Sequence, residues 1–248
     1  DLLIKNKFNV VKVYTQPPKK SKRGQKINPS HVEEYCKKNK IIYSNPLSLN
    51  SEKELENFKK LLPSLVVVVA YGQIIPKNFL AIPKLGFINI HASLLPTWRG
   101  AAPIQRAIMN EDKTIGLSIM KIEEKLDSGP VMAFKKSELN KNLTFGEIEK
   151  KLSSEGANLL IESLRILEAG NPKFIEQDHS KATYAKKIDK NEGKINWSDK
   201  AINIIGKING LFPIPGAFFI FNGERYKILK AEIGNGVGKA GEVLTDKL

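Results

Sequence analysis

Cysteine is almost absent from this chain. The one thiol, Cys36, excludes an intramolecular disulfide and a thiolate metal cluster, and its place in a helical pattern reads as a reduced, half-buried filler. Histidine is scarce too, with only 3, and no metal-ligand cluster is formed in the sequence. No apolar run reaches the roughly 18 residues that a membrane-crossing helix requires. No signal-peptide pattern opens the chain, so the expected compartment is the cytoplasm. The G-x-S-x-G elbow of serine hydrolases is missing, and Ser93 has no base at suggestive spacing. Acidic residues fall short of basic ones: 26 Asp and Glu against 40 Lys and Arg leave a net charge of +14. That excess favours a polyanionic partner, nucleic acid or an anionic membrane surface, although lysine is also a common solubilising residue.

What is present reads as a folded chain. With 248 residues, 41% of them hydrophobic, it is large enough for one large domain or a medium domain with a small companion. The first two thirds alternate strand and helix signals. The run at 10–14 is a strand that stops at Pro17 and Pro18, and the basic loop KKSKRGQK follows. Ser30 and Glu33 predict a capping box opening the helix HVEEYCKKN. A short strand at 41–43 and a charged amphipathic helix at 51–62 come next. The uninterrupted apolar run at 65–70 predicts a strand buried on both faces, as in a parallel sheet. Residues 86–91 predict a second central strand, and Pro103 suits the first turn of the helix PIQRAIMN. A strand at 118–122 precedes a long helix that opens on a second capping box, Thr144 with Glu147, and ends near Gly170.

This alternation predicts an α/β domain with a mostly parallel sheet over 1–175 and a polar linker over 176–190. Beyond it lies a smaller β-rich domain over 191–248, in which Asn222-Gly223 between apolar runs is a strong hairpin signal. The chain opens and closes in mid-element, so it reads as a piece of a longer protein.

Three residues carry chemistry. Asn89 and His91 stand two apart on one strand, so both side chains share a face, at the carboxyl end where open α/β sheets bind ligands. An imidazole there can titrate near neutrality, and an amide can donate to a developing oxyanion. Asp127, in the turn KLDSG, also follows a strand. Each has a plainer reading: Asn89 and His91 could satisfy loop backbone, and Asp127 could cap its turn. An amide, an imidazole and a carboxylate at neighbouring strand ends nonetheless make a plausible acyl-transfer site.

The stretches AYGQIIP, GFINIHASLLPTWRGAAPIQRAI and TIGLSIMKIEEKLDSGPVM closely resemble the formyltetrahydrofolate-dependent transferases. The opening TQPPKKSKRGQKINPS and the trailing INWSDKAINIIGKINGLFPIPGAFFIFNGERYKILKAE resemble the branch of that family that acts on aminoacylated initiator tRNA. The resemblance implies a Rossmann-like formyltransferase domain joined to a small β-barrel of the OB type. It also implies transfer of a formyl group from 10-formyltetrahydrofolate to the free amino group of methionyl initiator tRNA, with no metal. By resemblance the catalytic triplet falls on Asn89, His91 and Asp127, and the folate-contacting S-L-L-P on Ser93, Leu94, Leu95 and Pro96. The tRNA-contacting basic loop falls on Arg23, with Lys19, Lys20, Lys22 and Lys26 around it; five charges in eight residues are otherwise read as a solvated loop. Asn89 and a protonated His91 would donate to the negative oxygen, and Asp127 would hold His91 charged and help remove the amine's proton. Lys207, Arg225, Lys227 and Lys230 would extend the positive surface under the tRNA.

The chain departs from the family in lacking its opening strand and the glycine-containing loop after it, and in having Thr97 where a basic residue is common. A folate-dependent enzyme acting on a small nucleotide, or a folate hydrolase, requires neither the basic loop nor a second domain. A non-catalytic nucleic-acid binder gains nothing from Asp127. His31 reads as a solvated first-turn residue, His179 as a linker residue without catalytic company, and GNGVG at 234–238 as a turn. Trp98 is expected to pack in the site loop and Trp197 in the core of the second domain. A monomer is the default.

Overall fold

The computed structural model describes residues 1–21 and 26–244. Its first unit is a parallel pair, β1 (Val13–Tyr14) against β2 (Tyr43–Ser44), joined through helix α1 (His31–Lys38). Ser30 caps α1 by accepting from the Glu33 amide at 3.0 Å, and its hydroxyl also lies 2.7 Å from Thr15 Oγ1. The returning half of the expected capping box is not made. Glu33 is buried, and a buried carboxylate has to be paired; it turns instead to Lys37 at 2.8 Å and Asn45 at 2.9 Å. Lys37, then Asn45, hold its carboxyl below the usual range. Cys36 lies on the covered face of the same helix, fully buried and not half-exposed. Helix α2 (Glu52–Lys60) starts on the Ser51 cap and buries Phe58 against Phe79 and Phe87.

The central sheet has four strands: β3 (Val66–Val68), β4 (Phe87–His91), β5 (Thr114–Lys121) and β6 (Val131–Glu138), hydrogen-bonded in that order. As with β1 and β2, the pairing of β3 with β4 is parallel, while β5 and β6 run antiparallel and give the sheet a mixed edge. The valines of β3 pack on both faces, as the apolar run suggested, with Val67 against one core cluster and Val66 and Val68 against another, but each is half-buried rather than fully buried. The reason is its position: β3 has β4 on one side, and among the described residues no strand pairs with its other edge. Strand β5 begins four residues earlier than the sequence pattern suggested, running through Gly116. A Cβ there would sit 2.3 Å from the Lys135 carbonyl and 2.5 Å from Leu94 Cδ2, so only glycine lets the strand pass under Leu94.

Helices cover this sheet. Helix α3 (Pro103–Met109) begins with proline in its first turn, as its fixed φ and missing N–H favour. Helix α4 (Phe145–Glu168) opens on the complete capping box predicted for Thr144 and Glu147. Its stripe of Ile148, Leu152, Leu159, Leu160, Leu164 and Leu167 packs on Ile88, Leu117 and Ile119 of the sheet. Leu→Ala at such positions typically costs about 2–5 kcal/mol, so α4 is the main anchor of the core.

The polar stretch 176–190 is not loose. Gln177 is buried, and Tyr184–Ala185 pairs in parallel with Arg99–Gly100. Arg106 of α3 grips Glu192 with both terminal nitrogens, at 2.6 and 3.0 Å. Helix α5 (Ala201–Leu211) then lies across α3, with Gly206 and Gly210 against Ile108 and Met109. The hairpin β7 (Ala217–Phe221) and β8 (Glu224–Ile228) turns on Asn222 and Gly223, both at positive φ, as that dipeptide predicts. Among the described residues the C-terminal part is a small antiparallel sheet with no barrel closure. The described residues after β8, up to 244, are rich in glycine and add no strand to it. Trp197, expected in a core, is 39% exposed and packs edge-on against Phe219 on the open face of the hairpin.

Candidate active site

Strand β4 delivers two side chains to one face. Its register puts Asn89 opposite Met120 and His91 opposite Ser118, at the carboxyl end of the strand. His91 is 5% exposed. Its Nε2 lies 2.9 Å from the Trp98 carbonyl, which can only accept, so Nε2 carries hydrogen. That leaves the Nδ1 edge facing Asp127, whose Oδ2 is 3.7 Å away. This separation is too long for a hydrogen bond but short enough for a strong charge interaction. The two contacts are attractive together only in the imidazolium form. The Asn89 amide makes no hydrogen bond among the described residues, so its donors remain available.

Asp127 reaches the site from the connection between β5 and β6. Its backbone is left-handed, with φ of 44°, a conformation that Asp tolerates better than most residues. Oδ2 accepts from the Gly100 amide at 2.8 Å, which aims the carboxylate toward His91. Gly100 itself has φ of 116°, and a Cβ there would lie 2.8 Å from the Ala185 carbonyl, so glycine is required for the chain to pass. Amide, imidazole and carboxylate thus converge from two separate segments, with Asp127 36 positions beyond His91 in the sequence.

The S-L-L-P loop is built from within. Ser118 Oγ donates to the Ser93 carbonyl at 2.6 Å and accepts from the Leu95 amide at 3.1 Å. The Ser93 hydroxyl donates to the Thr97 carbonyl at 2.5 Å, and the peptide bond before Pro96 is cis. Leu95 is buried with Met120 and Val131. Ser93 and Leu94, with Trp98, Asp112 and Ile115, line a cavity of about 280 Å³ beside the site. Trp98 does pack in this loop, and its Nε1 donates to Asp112 at 2.7 Å. Another cavity, of about 390 Å³, surrounds Gly86, Phe87 and Phe174 at the far end of β4, away from the converging polar groups.

Of the predicted tRNA contacts, Lys22 and Arg23 lie outside the described residues. For Lys20 and Lys26 only the backbone is described, in a short antiparallel ladder of Lys19–Ser21 with Lys26–Asn28. Other residues of the site, Trp98 apart, were not singled out in the sequence. Gln177 and Arg99 are buried beside Asp127, Ser118 sits beneath the loop, and Trp98 contributes a backbone carbonyl. His179 Nδ1 lies 2.9 Å from the Arg99 guanidinium. Arg99 stands inside the WRG motif and could have been flagged from it; Gln177, 78 positions further on, lies in a polar run that does not single it out.

A set of hydrogen-bond donors and a carboxylate gathered beyond the carboxyl end of a Rossmann-like sheet defines a group-transfer enzyme of the acyl type. The chain belongs to the formyl transferase family, which it matches over residues 2–164, and it matches the formyl transferase C-terminal domain over residues 187–247. It is 53% identical over 247 residues to the methionyl-tRNA formyltransferase of Pelagibacter ubique (strain HTCC1062), covering 99% of this chain and 80% of that protein. It is 44% identical over 231 residues to the methionyl-tRNA formyltransferase of Coxiella burnetii (strain CbuK_Q154), covering 93% of this chain and 74% of that protein. Among solved structures, HypX from Aquifex aeolicus in complex with tetrahydrofolic acid superposes with a TM-score of 0.69 at 19% identity, covering 94% of this chain and 40% of that one. The sugar 3N-formyl transferase WlaRD superposes with a TM-score of 0.68 at 17% identity, over 92% of this chain and 88% of that one. These two similarities concern the fold. No helix of the described residues is long and apolar enough to cross a membrane.

Proposed function

We propose that this chain moves the formyl group of 10-formyltetrahydrofolate onto the free α-amino group of methionyl initiator tRNA. The observation that carries the reading is the pairing of His91 and Asp127 beside an uncommitted Asn89 amide, in a chain 53% identical to a methionyl-tRNA formyltransferase. The free amine attacks the formyl carbon, the bond from that carbon to N10 breaks, and N10 takes up a proton. Asn89 donates a hydrogen bond to the formyl oxygen as negative charge gathers there, and His91 donates a second from its Nδ1 edge. Asp127 stabilises the imidazolium that this donation requires. It also accepts the proton that the amine gives up, directly or through one water. The amine helps too: an α-amino group with a pKa of about 7.7 already has a neutral fraction near pH 7.

The same proposal assigns folate contact to Ser93, Leu94, Leu95 and Pro96. The cavity beside Ser93 and Leu94 supports it, and the buried Leu95 serves by shaping the loop. Contact with tRNA is assigned to Lys20, Lys22, Arg23 and Lys26. The formyl-transferring part covers 1–175, the connector 176–190 and the tRNA-facing part 191–248, with its hairpin belonging to an OB-like barrel. A monomer in the cytoplasm completes the reading. The test is transfer of labelled formyl from 10-formyltetrahydrofolate to Met-tRNA, beside an Asn89→Ala variant. Label on initiator tRNA that vanishes in the variant is the expected result. Consumption of the folate with unmodified tRNA would reject the acceptor.

A further inference from the structure

We infer that Gln177 is a positioning residue for Asp127, so that the segment between the two family domains holds the carboxylate of the active site. The inference rests on the reading of Asp127 proposed above. The two family matches end at residue 164 and resume at 187, which leaves Gln177 in neither. Gln177 is nonetheless buried, and its side chain divides four hydrogen bonds between the Asp127–Gly129 turn and Arg99. Nε2 donates to the carbonyls of Asp127 at 2.9 Å and Gly129 at 2.7 Å. Oε1 accepts from Arg99 twice, from Nε at 3.1 Å and from a terminal nitrogen at 2.7 Å. The amide orientation is fixed by these partners. Flipping it would set an oxygen against two carbonyls and an NH₂ against a guanidinium, making all four contacts repulsive.

The geometry closes into a ring. Arg99 holds Gln177, Gln177 holds the backbone of Asp127, and the Gly100 amide next to Arg99 holds the Asp127 carboxylate. Asp tolerates the left-handed backbone at residue 127, and Gln177 is one of the groups that hold it there, through the Asp127 carbonyl. Gly100 aims the carboxylate and Gln177 holds the backbone behind it, so the two together set the 3.7 Å separation of Oδ2 from His91 Nδ1. The connector is itself fastened: Tyr184–Ala185 pairs with Arg99–Gly100, and the Thr183 hydroxyl accepts from the Trp98 amide at 2.8 Å.

The experiment compares Gln177→Met and Gln177→Glu, each alone and combined with Asp127→Asn, by steady-state formyl transfer from 10-formyltetrahydrofolate to Met-tRNA. Each single variant is expected to lower kcat by about 10²-fold, the effect of a misplaced catalytic group, with both KM values changed by less than about two-fold. In the Asp127→Asn background the same substitutions should lower kcat by less than about two-fold more, because the group they position is already disabled. Gln177→Glu retains the contact to Arg99 and carries the test where Gln177→Met fails to fold. Equal losses in both backgrounds, or an unchanged kcat in the single variants, would overturn the inference while leaving Asp127 in place. An unchanged kcat in Asp127→Asn alone would instead remove the reading on which it rests.

Discussion

Ser118 and Ser163 offer a matched pair of substitutions whose outcomes the structure separates. Both side chains are buried, at 0% and 1% exposure, and both lose the same single oxygen on conversion to alanine. Ser118 Oγ bridges β5 to the S-L-L-P loop through the Ser93 carbonyl and the Leu95 amide. Its removal strands a buried acceptor and a buried donor, each costing about 1–3 kcal/mol, so Ser118→Ala should destabilise by roughly 2–6 kcal/mol. For a chain of this size about 3 kcal/mol corresponds to a fall of roughly 6–12 °C in melting temperature. Ser163 Oγ, in the C-terminal third of α4, has no hydrogen-bond partner among the described residues. Deleting it relieves a desolvated hydroxyl and improves helix propensity by a few tenths of a kcal/mol, so Ser163→Ala should be neutral or stabilising.

The assay is urea unfolding of the two variants beside the parent, with steady-state formyl transfer on the same preparations. Ser118→Ala should also raise KM for the folate, because its bridge shapes the loop that walls the cavity; Ser163→Ala should leave KM unchanged. A loss below about 1 kcal/mol for Ser118→Ala, or equal losses for the two, would refute the account of the loop as held by that bridge.

Asn89→Ala should lower kcat by about 10²- to 10³-fold, the usual loss for one oxyanion donor, with little change in folding stability; a calorimetric scan and single-turnover transfer check both. Thr144→Ala removes the capping box of α4 and should cost about 1 kcal/mol in denaturant unfolding without altering kcat. Asp178, held by the Ser180 hydroxyl, then Lys181 and the Ser180 amide, has its carboxyl lowered to about 2. Its cap on the turn at His179–Lys181 is therefore complete above the ordinary carboxylate value and lost as pH falls toward 2; a carboxyl-detected NMR titration with a midpoint near the ordinary value would contradict this. Arg23→Gln should weaken tRNA binding and reduce the slope of log affinity against log salt by about one, read from filter binding at several ionic strengths.

The parts of the fold legible in the sequence are those fixed by local rules. Thr144 and Glu147 close a capping box because both partners lie within one helical turn. Asn222-Gly223 turns the hairpin because those two residues accept positive φ. Ser30 and Glu33 show the limit of such rules. The pair has the right spacing, yet Glu33 is buried and answers to Lys37 and Asn45, one of which comes from a different segment. Strand β3 was legible as a strand but not as an edge, since burial depends on neighbours that its own residues do not specify.

The site divides along the same line. Asn89 and His91 were placed together by the two-residue period of a strand, and Asp127 by its position after another. What fixes their geometry was hidden because it is tertiary. The tautomer of His91 is set by the backbone carbonyl of Trp98, and a carbonyl leaves no mark in a residue's identity. The aim of Asp127 is set by the amide of Gly100, which a pattern of side chains cannot disclose either. Gln177 does carry its function in its side chain, but its neighbours Glu176 and Asp178 are polar and exposed, so nothing local separates a buried amide from a solvated one. A polar residue between two domains acquires meaning only when its hydrogen-bond partners are counted, and at Gln177 every one of them belongs to the turn or the strand that frames the carboxylate.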